Sequence, residues 1–366
     1  MSIKYRVDEL REGMILGEGV YSGKDIRMPL VAKNTVLTQF LIDKIQTTGI
    51  REVKIYSPVM YPNLIEVIKE PPVINEQLRQ ESVNYISDIF AIAQGKFEDA
   101  SLASKTIKQL DNVVDQLISS LSMEGRSMVN INNLKSYDEY TYHHSLSVSV
   151  VSIAIAQFLG FSDKELTQIG KCAMLHDIGK IMIPIQIINK PSKLDDDEFT
   201  IIKSHPSEGY RYLSENNIGD EEIWNGVLYH HEKMDGAGYP SGLAGEEIPI
   251  ISRIISVADV YDALTSIRPY RKPMQPVDAL EFVMGGASNV FDYNIVTAFL
   301  EKIQPYPVGN LIELSNGRIA MVIDNEFPMR PIVQTLETGE VLDLCNDRHC
   351  LDLVITNLII DSQSEA

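Results

Sequence analysis

The chain has 366 residues, 44% of them apolar and 23% charged, a composition that supports a packed core and excludes global disorder. Its 51 acidic against 32 basic side chains leave a formal net charge of −19, which disfavours a protein that coats a nucleic acid polymer or an anionic membrane, because such binding needs a basic face. An anionic small molecule stays open as a ligand, since metal ions or arginines can reverse the field inside one cleft.

Three cysteines, Cys172, Cys345 and Cys350, are too few and odd in number for a disulfide framework, and reduced thiols in the cytoplasm are expected. The opening MSIKYRVDELREGM has no apolar stretch of signal-peptide length. No window reaches the ~18 uninterrupted apolar residues of a spanning helix, so membrane insertion is not expected.

In chain order, residues 1–57 read as a small α+β module. Leu30–Leu37 and Val53–Tyr56 have the β-branched content of short strands. Thr38–Thr48 between them has helical spacing at Phe40, Leu41 and Ile45, and Gly49 ends it. Residues 58–129 comprise a proline-bearing linker, with a short helix at Asn63–Lys69, and then helices over 75–125. Apolar stripes there run through Val83, Ile86, Ile89, Phe90 and Ile92, and through Leu110, Val113, Val114, Leu117, Ile118 and Leu121. These stripes fit core packing or a homodimer interface. Residues 130–305 read as nearly all helix, with segments near 140–159, 163–178, 196–215, 220–231, 250–266, 276–285 and 292–303. Residues 306–366 change to a short β appendage. Strands are expected at Asn310–Leu314, Ile319–Val322, Ile332–Thr335 and Leu351–Val354, with turns at Ser315-Asn316-Gly317 and Thr338-Gly339. The class is therefore mainly α, an all-helical bundle flanked by two small β-containing pieces.

Six of the seven histidines fall between positions 143 and 231 (His143, His144, His176, His205, His230, His231), inside the helical region. Several neighbour carboxylates, and imidazole with carboxylate is the ligand set of manganese, iron, zinc or nickel rather than of calcium or magnesium. His176-Asp177-Ile178-Gly179-Lys180 closes a predicted helix over Glu165–Leu175. If the helix loosens at Gly179, His176 and Asp177 can both turn to one ion. Asp177 can then bridge two ions, and Lys180 can reach a phosphate oxygen. Asp259 lies in the apolar run Ile254–Leu264, where a buried acid needs a partner. Asp262, three residues on, shares its helix face. His143 points ~100° away from His144 on a helix and is read as a non-ligand. His349, beside Cys350, is read as part of a turn.

His-Asp followed by His230-His231-Glu232-Lys233-Met234-Asp235-Gly236-Ala237-Gly238-Tyr239-Pro240 and by Asp262-Ala-Leu-Thr-Ser-Ile-Arg268-Pro-Tyr-Arg271 resembles the HD-GYP family of the HD superfamily of metal-dependent phosphohydrolases. The resemblance covers about 130–305 and implies an HD-type helical catalytic bundle. It implies that His144, His176, Asp177 and Asp259 hold one metal ion, and that Asp177 bridges to a second ion held by His205, His230 and His231. It further implies that Lys180 contacts phosphate and acts with Asp177 in catalysis. Gly238, Tyr239 and Pro240 would shape the cleft, and Asp262, Arg268 and Arg271 would meet the ligand. Some relatives carry a glutamate four residues before the first histidine and hold a third ion; here that position is Tyr140, so two divalent ions are expected, iron or manganese.

The activity the resemblance implies is hydrolysis of cyclic di-GMP to pGpG, with GMP as a further product. Two cations ~3.5–4 Å apart answer the difficulty of the reaction, activating water and neutralising phosphoryl charge. The alternatives are a catalytically weak cyclic di-GMP sensor and a phosphohydrolase acting on another cyclic dinucleotide.

Overall fold

The computed structural model describes residues 2–11, 14–16, 19–21, 30–31, 35, 37–56, 73–95, 100–122, 129, 140–188, 190, 192–266 and 273–359. The chain divides into two compact units, residues 72–304 and residues 1–71 with 305–366.

In the second of these units, strands β1 (Ser2–Arg6), β2 (Ile15–Leu16) and β3 (Glu52–Tyr56) form an antiparallel sheet in the order β1-β3-β2. Helix α1 (Gln39–Gln46) precedes β3, and the Thr38 side chain caps it by accepting from the Leu41 amide. Of the residues read as its apolar face, Leu41 and Ile45 join Ile42, Leu16, Leu37, Val53 and Ile55 in one buried cluster, whereas Phe40 is 56% exposed. β1 and β2 were not foreseen. Of the expected strand Leu30–Leu37, only a bridge between Val20 and Val31 is seen among the described residues, and the expected helix Asn63–Lys69 lies outside them.

The helical unit begins with α2 (Glu76–Ala93) and α3 (Ala100–Ser122). α4 (Tyr140–Phe158) is apolar on nearly every side, the pattern of a helix enclosed on all faces, and residues 143–156 are indeed buried. It lies against α2, α5 (Asp163–Leu175), α10 (Ile250–Thr265) and α12 (Tyr293–Lys302). Between these come α6 (Ile185–Ile188), α7 (Asp196–Ile202), α8 (His205–Glu215) and α9 (Glu221–Tyr229), with α11 (Pro276–Gly285) before α12. Two expected segments are shorter than read. The helix foreseen over 163–178 stops at Leu175, and that over 196–215 breaks at Lys203-Ser204 into α7 and α8.

Residues 311–359 form an antiparallel sheet of β4 (Leu311–Leu314), β5 (Ile319–Asp324), β6 (Ile332–Thr335), β7 (Val341–Asp343) and β8 (Ile355–Ile359), in the order β7-β6-β5-β4-β8. The turn glycines Gly317 and Gly339 take φ of 79° and 70°, which only glycine adopts freely. The strand expected at Leu351–Val354 is a turn instead. Leu353 donates its amide to the Cys350 carbonyl, and the Arg330 guanidinium gathers the carbonyls of Leu344, Cys350 and Leu353 at 2.6, 3.0 and 3.1 Å. No helix among the described residues is long and apolar enough to cross a membrane.

Candidate metal centre

Five helices deliver the polar side chains. α4 carries His144, the end of α5 leads into His176 and Asp177, α8 begins with His205, α9 leads into His230 and His231, and α10 carries Asp259 and Asp262. Close approach of these segments depends on glycine. A Cβ on Gly179 would stand 2.0 Å from the His205 carbonyl and 2.4 Å from the Gly209 amide, so only glycine lets the His176–Lys180 turn abut α8. A Cβ on Gly238 would stand 2.4 Å from the Glu232 Cα, so glycine there lets the Gly-Tyr-Pro loop close on the histidine doublet.

Three of the histidines share one local device. The last carbonyls of a helix lack intrahelical partners. His176 Nδ1 donates to the Ala173 carbonyl at 2.7 Å, His205 Nδ1 to that of Ile202 at 2.8 Å, and His230 Nδ1 to that of Val227 at 2.6 Å. Each histidine thus stands just past a helix end and gives its Nδ1 proton to a carbonyl three residues back. The tautomer is fixed, and Nε2 keeps its lone pair for the interior. His144 is oriented differently, with Nδ1 donating to Asp262 Oδ2 at 2.7 Å.

The Nε2 atoms converge on Asp177. Asp177 Oδ2 lies 3.4 Å from His176 Nε2 and 3.6 Å from His144 Nε2, while Oδ1 lies 3.3 Å from His205 Nε2. One carboxylate therefore faces two imidazole groups with different oxygens. Asp259 Oδ1 is 3.2 Å from His144 Nε2, and Asp259 Oδ2 is 4.0 Å from His231 Nδ1. Among the described residues three groups of ligand atoms lie mutually within 4.8 Å: His144, His176 and Asp259; His205, His230 and His231; His176, Asp177 and His230.

The donor set fits metal ions. His205 Nε2 and His230 Nε2 stand 3.3 Å apart, and with both Nδ1 protons committed to carbonyls this brings two lone pairs face to face. A cation between them relieves that repulsion. His176 Nε2 is buried and has no hydrogen-bond partner among the described residues, a costly state for a polar atom unless a ligand completes it.

Electrostatics divides the pit. Burial disfavours the charged imidazole, lowering His205 to about 3 and His231 to about 4, and lowering His176 and His230 as well. Burial acts on His144 too, but hydrogen bonds to Asp259 and Asp262 outweigh it and hold that ring up to about 9. Burial opposes the charge of Asp177 and Asp259 as well. Lys180 and the surrounding histidines nonetheless keep Asp177 well below the usual carboxylate range, and His144 does the same for Asp259.

Lys180 Nζ sits 2.5 Å from Asp177 Oδ2, with about a third of the side chain (31%) exposed. Tyr239 stacks on His231 with ring centres 4.8 Å apart. Burial, with the charges of Asp259 and Asp177, pushes its phenol upward. Gly238 and Pro240 flank it in the same loop. Asp262, expected to meet the ligand, is corrected by its geometry: at 1% exposure, with Oδ2 accepting from His144 and from Ser266 Oγ at 3.1 Å, it orients His144 from behind. Arg268 and Arg271 lie outside the described residues. His143 is buried on α4, and His349 is exposed in the β appendage.

Sequence reasoning missed the role of Glu232. This residue is 2% exposed and accepts from the amides of Ser241 at 2.7 Å and Gly242 at 3.0 Å. It thereby pins the far side of the Gly-Tyr-Pro loop to the residue after the histidine doublet. Its place in His-His-Glu was the available signal.

The HD domain family matches residues 128–295, the stretch that supplies every side chain of the pit. A cyclic di-GMP phosphodiesterase of Pseudomonas aeruginosa is 35% identical over 252 residues, covering 69% of this chain and 60% of that protein. A cyclic di-GMP phosphodiesterase response regulator of Xanthomonas campestris is 38% identical over 204 residues, covering 54% of each. A 3'3'-cGAMP-specific phosphodiesterase of Vibrio cholerae is 37% identical over 147 residues, covering 40% of this chain and 33% of that protein. The chain thus spans less than two thirds of the length of these relatives. The match falls on the helices that bring imidazoles and carboxylates together, and residues 128–295 resemble the HD domain family.

Proposed function

We propose that this protein hydrolyses cyclic di-GMP to pGpG, and onward to GMP, at a centre of two divalent metal ions. The supporting observation is the Asp177 carboxylate, whose two oxygens face separate imidazole groups. In this reading His144, His176, Asp177 and Asp259 hold one ion, and Asp177, His205, His230 and His231 hold the other. The mixed nitrogen and oxygen donors suit iron or manganese. Such ions, when bound, supply Lewis acidity and an activated water for in-line attack on phosphorus.

The chain's own groups do the rest. Lys180 offers its ammonium to a phosphoryl oxygen as negative charge builds there, from a position already fixed by Asp177. Asp262 and the helix-end carbonyls hold the imidazoles in the tautomer that donates through Nε2. Gly238, Tyr239 and Pro240 wall the cleft, with Tyr239 against His231. Arg268 and Arg271 are proposed to meet the ligand, since the guanidinium fork matches both phosphate oxygens and the O6/N7 edge of guanine.

The test is to incubate protein loaded with manganese or iron, under reducing conditions, with cyclic di-GMP and to resolve products by chromatography. Appearance of pGpG supports the reading, and unchanged substrate refutes it. The relative specific for 3'3'-cGAMP favours a second reading, in which a mixed cyclic dinucleotide is the better substrate; the same assay with that compound decides between them.

We also propose a cytoplasmic setting, in keeping with three free thiols, and a homodimer formed through the helices of 75–125. A finer organisation than the two compact units is proposed as well: a module over 1–57, linker and helices over 58–129, the catalytic domain over 130–305 and an extension over 306–366.

A further inference from the structure

An acidic chain that takes up a doubly charged dinucleotide needs cations at the mouth of its cleft. Lys180, beside Asp177, can serve only the phosphate at the proposed metal centre. Lys203 is placed differently. It ends α7, two residues before His205, so its backbone is fixed by a residue of the pit. Its Nζ stands 4.6 Å from the centre of the Phe199 ring and 5.5 Å from that of Tyr239. Tyr239 stacks in turn on His231. The ammonium is therefore one aromatic ring removed from the histidine doublet, and Phe199 is 47% exposed. Among the described residues Lys203 makes no ion pair. Aromatic faces attract an ammonium without occupying its N–H donors, so the group is held in place while its hydrogen bonds stay available to an anion.

We propose that the Phe199–Lys203–Tyr239 stack is a substrate-binding element at the rim of the cleft, in which Lys203 contacts the phosphate that is not being cleaved. The inference rests on the cyclic dinucleotide reading above, because it needs a ligand with a second phosphate. Lys180 then serves the scissile phosphate and Lys203 the distant one, which makes the rim a selector for dinucleotides over simple diesters.

The test compares cyclic di-GMP with bis(4-nitrophenyl) phosphate, which has a single phosphate, in the manganese-loaded full chain. Lys203→Met keeps an unbranched side chain only one atom shorter and removes its charge. It is expected to lower kcat/KM for cyclic di-GMP by about tenfold or more relative to that for the small diester, chiefly through KM, as loss of a hydrogen bond to a charged group should. Lys203→Arg is expected to restore most of that ratio. The kcat/KM of the parent protein for the dinucleotide should also fall more steeply with ionic strength than that of the Met variant. A ratio that stays constant, or that Lys203→Arg fails to restore, overturns the inference and leaves the proposed function standing. A parent protein that cleaves the small diester but no cyclic dinucleotide overturns both.

Discussion

The two halves of the pit are built from different materials. One half sets His144 and His176 against Asp259, with Asp262 behind, and is buried, with only Asp259 keeping 8% of its surface exposed. The other gathers His205, His230 and His231, has no carboxylate of its own beyond the shared Asp177, and opens at His231, whose side chain is 25% exposed. Without a metal ion, Asp259 and Asp262 hold His144 up to about 9, whereas the imidazole half contains rings lowered to about 3 and about 4. The first half is charge-compensated and closed. The second is left with neutral donors beside an opening, so positive charge placed there remains available to an anionic ligand.

The largest way to break this division is to remove what the halves share. Asp177→Ala is expected to empty both, giving no more than trace bound metal by mass spectrometry and turnover below about 1% of the parent rate. Replacing one half at a time sharpens the comparison. His205→Ala and Asp259→Ala should each reduce the metal content from about two ions per chain to about one, and if each variant removed both ions the halves would be one site. A smaller effect is expected from Asp262→Asn, which cannot accept from His144 as strongly. It should weaken metal affinity by about 10–100-fold and leave the imidazole half loaded at metal concentrations that no longer fill its neighbour.

The smallest effect is on the stability of metal-free protein. A histidine whose folded pKa lies below its ordinary 6.5 imposes a cost that grows as pH falls from 6.5 toward that folded value, because the unfolded chain takes up the proton first. His176, His205, His230 and His231 all behave so. His144 acts in the opposite sense: its raised pKa contributes stability that is full below 6.5 and lost as pH rises through about 9. With four imidazoles against one, the melting temperature of metal-free protein is expected to fall by about 5 °C or more between pH 7.5 and pH 5. A calorimetric scan at the two pH values checks it, and a rise on acidification would mean the imidazole half is not buried as described.

Much of this arrangement was legible in the chain itself. The helical unit announces itself through apolar periodicity, and α4 through an apolar run that no exposed helix would carry. The clustering of histidines and the buried acid Asp259 pointed to a metal, while the choice of His144, His176, His205, His230 and His231 came from the resemblance to the HD-GYP family. What could not be read was set by tertiary contacts. Leu351–Val354 has strand composition, yet Arg330, some twenty residues upstream, draws the neighbouring carbonyls into a turn. Asp262 gave no sign of which face of α10 met His144 until α4 was in place. The Glu232 carboxylate, nine residues before its amide partner at Ser241, acts through a loop whose path is settled only in three dimensions.

The central claim is that Asp177 joins two distinct cation sites. Its most direct test is the metal content of the protein purified without oxygen, measured by mass spectrometry alongside protein concentration. The account predicts about two transition-metal ions per chain; a value of one or none in active protein would contradict it.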